Sequence, residues 1–142
     1  MRRCLVTDNG TVTYLHPNDS TKLANGNVAV LDGSAGQVMV EIPEHYRKFV
    51  SSDTYYDCLI SLMPFEGAHK VNKCYISAYE ASLDRAGSKL ASVVNTTANY
   101  RGGGNQTDWD NTYRSVLGRP VTSVSLTSFR TYANNRGTNW KC

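Results

Sequence analysis

"GRPVTSVSLTSFRTYANNRG", residues 118–137, changes period partway along. Pro120 stands near its start, and Val121, Val124 and Leu126 are spaced among small polar residues. Helical spacing follows at once. Phe129, Tyr132 and Ala133 fall at i, i+3 and i+4, the spacing of an apolar stripe facing a core. Ser125 or Thr127 is placed to cap the start, and Gly137 sits where a helix stops. Arg130 and Arg136 lie toward the C-terminal end, where the dipole favours cations. The pattern predicts a main helix over about 127–136 with Phe129, Tyr132 and Ala133 buried.

Working outward, the other elements read as short strands. "CLVTDNGTVTYL", residues 4–15, has a turn signal at Asp8-Asn9-Gly10 between apolar runs and predicts a hairpin. Residues 16–27 are a loop by composition. "GQVMVEIP", residues 36–43, alternates Val38, Val40 and Ile42 with Gln37, Met39 and Glu41, as a half-buried strand does. "EHYRKFV" continues extended or as one short turn. Residues 54–64 and 73–83 read as two further strands, and 90–99 as a short β-branched segment. Several short strands, long loops and one main helix make an α+β chain. The division expected is an N-terminal hairpin and loop over 1–35, then one domain over 36–142.

Composition narrows the function classes. The net charge is only +3, with no basic run longer than two residues, so no nucleic-acid partner is expected. No apolar run approaches the ~20 residues of a membrane span, and the two arginines near Met1 have no apolar stretch behind them. Cys58 and Cys74 lie in apolar runs and read as buried free thiols, not as disulfides or zinc ligands. His16, His45 and His69 are far apart in sequence, no G-x-S-x-G occurs, and "RGGG" at 101–104 lacks the rest of a P-loop. No catalytic residue, metal or cofactor is expected. Glu80, among Tyr75, Ile76 and Tyr79, reads as a buried, hydrogen-bonded structural carboxylate.

The long polar stretch 100–114 is the expected recognition surface. Tyr100, Trp109 and Tyr113 offer flat apolar faces, and Arg101, Asp108, Asp110 and Arg114 offer hydrogen bonds, a combination suited to sugars. Trp109-Asp110-Asn111 inverts the last two residues of the Trp-Asn-Asp of calcium-dependent lectins, so no calcium site is predicted.

"YISAYEASL" followed by "GRPVTSVSLTSFRTYANNRG" resembles the formylglycine-generating-enzyme branch of the C-type-lectin-like fold. The match lies in Tyr79-Glu80, Pro120-Val121 and Val124-Ser125. Leu126 stands where that family has Trp, and Phe129 where it has Ala. "VMVEIPEHYRKF", "CLISLMPFEGAHKV" and "CYISAYEA", in that order, are similar to tail-fibre and receptor-binding proteins of bacteriophages of gut bacteria, although Lys70 follows His69 where Pro is usual. This resemblance, over about 36–137, implies a virion structural protein of a tail or head fibre. Its lectin-like domain, of which this chain is a slice, would adhere to a bacterial surface glycan or protein. Other virion proteins and a homo-oligomer, a trimer being one arrangement, are the implied partners. The alternatives are a formylglycine-generating-type oxidase and a purely structural virion component.

Overall fold

A computed structural model describes residues 1–94, 100–102, 107–110, 112 and 118–142. Those residues form an α+β arrangement of small antiparallel sheets with one α-helix. No helix among them is long and apolar enough to cross a membrane.

The strands are β1 (Arg2–Val6), β2 (Val12–Tyr14), β3 (Gln37–Ile42), β4 (His45–Ser51), β5 (Tyr56–Ser61), β6 (His69–Val71), β7 (Cys74–Ser77), β8 (Ser82–Asp84), β9 (Lys89–Ala91) and β10 (Tyr100–Arg101). A 3-10 turn spans Thr107–Trp109, and the helix α1 spans Leu126–Asn134. They assemble as β2-β1-β3-β7, β5-β4-β6 and β10-β8-β9. β1 pairs with both β2 and β3, so the N-terminal hairpin shares a sheet with the strand at 37–42.

The hairpin turn follows from its residues. Gly10 takes φ +87°, and its N–H donates to the Thr7 carbonyl at 2.9 Å. The Thr11 N–H donates to the Thr7 hydroxyl at 3.0 Å. This local closure sets Cys4 opposite Tyr14 and Val6 opposite Val12.

β3 has buried residues on both faces, which corrects the expectation that it is half-buried. Leu5 and Val38 on one face pack with Leu15 and Ala29, with Leu23 and Leu31 alongside. The loop over 16–31 folds back over that face through bridges Leu15–Leu23 and Lys22–Val28. Cys4, Val6 and Met39 form the other face, covered by Val12, Tyr14, Tyr75 and Trp140. Alternation predicts which residues share a face. It does not reveal that a polar loop and a C-terminal Trp will cover the two faces.

The helix begins and ends slightly before the expected bounds. The Ser125 hydroxyl accepts the Ser128 N–H at 3.0 Å, which makes Ser125 the N-cap. Ala133 is buried at 4%, but Phe129 and Tyr132 are only half-buried. The physical reason is the size of the partner: α1 packs on β9, three residues long, and Phe129 borders an open cleft beside it.

Arg136 is not a solvated helix-end cation. Its residue is only 7% exposed, and its guanidinium donates to Asp8 at 2.7 Å and to the Leu90 carbonyl. Lys89 donates to the other Asp8 oxygen at 2.7 Å. The Trp140 indole N–H reaches the Asp8 carbonyl at 3.3 Å. Asp8 thus ties the hairpin turn to β9 and to the segment after α1. Gly137 is needed there: its φ is +145°, and a Cβ would lie 3.2 Å from the Asp8 carbonyl.

Two further expectations are corrected. Glu80 is exposed and lies outside any strand. The strand expected over 73–83 stops at Ser77 and restarts at Ser82, leaving Glu80 in the connection. The buried carboxylate is Glu41 on β3, which accepts the Tyr14 hydroxyl at 2.6 Å. That hydrogen bond holds the Glu41 carboxyl below its usual range. All four cysteines are free, and Cys58 and Cys74 are exposed because a run of apolar residues does not fix what covers its face: Phe49, opposite Cys58 on the central strand β4, is exposed too; the buried cysteine is Cys4.

Burial alone would raise the Asp8 pKa, but the hydrogen bonds from Lys89 and Arg136 outweigh it and hold the carboxyl below its ordinary 3.8. A depressed folded pKa contributes stability that is present above the unfolded pKa and lost as pH falls through the folded one. Asp8→Asn should therefore cost about 2 kcal/mol at neutral pH, chiefly by leaving Arg136 buried without its charge partner. The cost should shrink in acid; thermal melts of both proteins at neutral pH and near pH 3 measure it. Cys4 gives a second check. Burial, helped by the Glu41 carboxylate, pushes its thiol up to about 11. Iodoacetamide at neutral pH should label Cys58, Cys74 and Cys142 in the folded protein, and Cys4 only after denaturation, as read by mass spectrometry.

Candidate functional site

The residues expected to form one recognition loop divide between different environments. Tyr100 and Arg101 are strand, not loop: β10 pairs Tyr100 with Asp84 and Arg101 with Leu83. Arg101 is buried. Tyr100 lines a polar cleft of about 240 Å³ with Asp8, Asp84, Lys89 and Arg136, and burial pushes its phenol above the usual range. The charged groups of this cleft hold the fold together through Asp8. Asp110 lies 2.6 Å from the Arg85 guanidinium, which anchors the 3-10 turn. Trp109 is half-buried on that turn, and Asp108 is exposed. Tyr113 and Arg114 lie outside the described residues.

A larger concave surface lies along the C-terminal segment. β7 is an edge of the first sheet, so Tyr75 and Ile76 border open space rather than another strand. Residues 139–141 run beside them, because Trp140 is held against Cys4, Val6 and Met39 by packing and by its bond to Asp8. Between the two is a groove of about 620 Å³, with Met39, Tyr75, Ile76 and Trp140 as its apolar lining and Lys73 and Lys141 as its cations. Trp140 and Lys141 also line a second cleft of about 370 Å³, which continues past Tyr79 and Glu80 to Phe129.

The Lys73 ammonium lies 5.7 Å from the Tyr75 ring centroid and 3.9 Å from a Glu41 oxygen. The Tyr75 hydroxyl donates to the same Glu41 oxygen at 3.4 Å. Tyr75 is therefore held by its polar end while its ring borders the groove. The hydrogen bond to Tyr75 and the Glu41 charge raise the Lys73 pKa, keeping it cationic. Flat apolar faces with ammonium donors beside them can stack on a sugar ring or apolar side chain and bind its hydroxyls or carboxylates.

Trp140 lies 65 residues from Tyr75 in sequence, and nothing local to either segment joins it to Tyr75 and Lys73. The "GTNWKC" tail and the aromatic run at 75–79 are signals that could have been combined, yet only the β3–β7 pairing brings them together. Among the described residues no group of three or more His, Cys, Asp or Glu side chains is placed to hold a metal ion. No family model, curated protein or solved structure matches this chain.

Proposed function

We propose that this chain is an adhesion module of a bacteriophage tail or head fibre, organised like a C-type lectin and binding a bacterial surface glycan or protein through the Trp140 groove. The groove carries the reading: aromatic faces from Tyr75 and Trp140 and cations from Lys73 and Lys141 meet in one concavity of ligand size. The resemblance of the ordered segments over 36–137 to phage receptor-binding proteins supplies the biological setting. The α+β architecture is compatible with it.

The lysines make acidic saccharides the first class to test. The purified chain should bind cells from a panel of gut bacteria, and acidic saccharides over neutral ones on a glycan array. Lys141→Glu and Lys73→Gln should each weaken binding by about tenfold, the scale of one charge-assisted hydrogen bond. Their circular dichroism should be unchanged, since Lys73 and Lys141 are exposed. Trp109→Ala is the control for the 3-10 turn and should leave binding intact. Wild-type binding by both lysine variants, or loss confined to Trp109→Ala, would remove the groove from this role.

A further inference from the structure

The groove between β7 and residues 139–141 does not stop at Trp140. Ser77, Trp140 and Lys141 line it, and they also line the cleft of about 370 Å³ that reaches Phe129. The two concavities therefore adjoin. Each has its own aromatic lining, Tyr75 and Trp140 in the first and Tyr79 and Phe129 in the second. Tyr79 is 46% exposed, and Phe129 is half-buried.

The two differ in charge. Lys73 lines the first and not the second, and Lys141 stands where they meet. Glu80 lines the second and not the first. It is exposed, and among the described residues no cation is paired with it. Arg136 borders the same cleft but is committed to Asp8 and the Leu90 carbonyl. An aromatic face with polar groups at its rim is the unit that takes one sugar ring. Here two such units follow one another, the first edged by ammonium groups and the second by a carboxylate.

We propose that the ligand of this surface is an oligosaccharide running through both concavities, with an acidic sugar over Lys73 and Lys141 and a neutral sugar beside Glu80. This rests on the reading of the Trp140 groove as a glycan site, and it adds the length of the ligand and the order of its charges. A neutral sugar can donate its hydroxyls to the Glu80 carboxylate in charge-assisted hydrogen bonds. A second acidic sugar at that place would set like charges side by side, so Glu80 selects against chains that are acidic at every residue.

Titration calorimetry on the purified chain at physiological ionic strength tests this, since salt screens loose attraction to the net charge of +3. The probes are hyaluronan oligosaccharides, which alternate a uronic acid with N-acetylglucosamine, and oligogalacturonides, which are acidic throughout. The hyaluronan tetrasaccharide should bind about fivefold tighter than the disaccharide, the scale of one added aromatic contact. It should also bind tighter than the galacturonide tetramer. Phe129→Leu, which keeps an apolar side chain in the fold, should remove the gain of the tetrasaccharide. Glu80→Gln should narrow the preference over the galacturonide tetramer about threefold, the scale of one exposed charge pair, with disaccharide binding and circular dichroism unchanged. Equal binding of disaccharide and tetrasaccharide, or a gain that survives Phe129→Leu, would confine the ligand to the first groove and overturn the proposal while the Trp140 site stands. A preference that Glu80→Gln leaves untouched overturns it as well. If none of these saccharides binds, the disaccharide included, the glycan reading of the groove falls and the proposal with it.

Discussion

The Asp8 carboxylate is the constraint on which the rest of the arrangement depends. It receives Arg136 on one oxygen and Lys89 on the other, and its own carbonyl accepts the Trp140 indole. Three parts of the chain distant in sequence meet at this turn residue. The helix alone is a weak anchor, since it is nine residues long and buries mainly Ala133. A charged group as enclosed as Arg136 is costly unless paired and hydrogen-bonded. Here it is satisfied by Asp8 and by the Leu90 carbonyl, so its burial specifies where the chain leaves α1.

From that node the groove follows. Trp140 is pinned at its indole nitrogen and packed on the Cys4, Val6 and Met39 face, so residues 139–141 are held beside β7. Tyr75 is held through the Glu41 oxygen that also accepts Tyr14. Both aromatic walls are thus set by polar contacts, part-buried at Glu41 and more open at the Trp140 indole, while Lys73 and Lys141 remain open to solvent. Such a surface is organised before any ligand arrives, which lowers the ordering cost of binding.

The sheet β5-β4-β6 is built differently. Its strands pair in continuous antiparallel register, but its most apolar face has no cover among the described residues. Burial and pairing have come apart here. Backbone hydrogen bonding alone gives a ladder, whereas apolar side chains left in water forgo the stabilisation of burial.

Much was legible without coordinates, because it depends on near neighbours. The Asp8-Asn9-Gly10 turn, the alternation across Gln37–Ile42 and the helix capped by Ser125 all rest on contacts within a few residues, and period and capping record such contacts directly. Solvent exposure and long-range pairing are different. Cys58 and Cys74 lie in runs as apolar as a core strand, and the sequence does not say that nothing packs over them. Glu80 has apolar neighbours in sequence but leaves the sheet, while Glu41, one of an alternating series, becomes the buried carboxylate because Tyr75 on the adjacent β7 and Tyr14 on β2, beyond β1, both reach its oxygen. Residues 100–114 read as one polar loop, yet Tyr100 and Arg101 are drawn into a strand by β8. Those outcomes, and the meeting of Asp8 with Arg136, were decided by tertiary packing, since each depends on which distant segment covers which face.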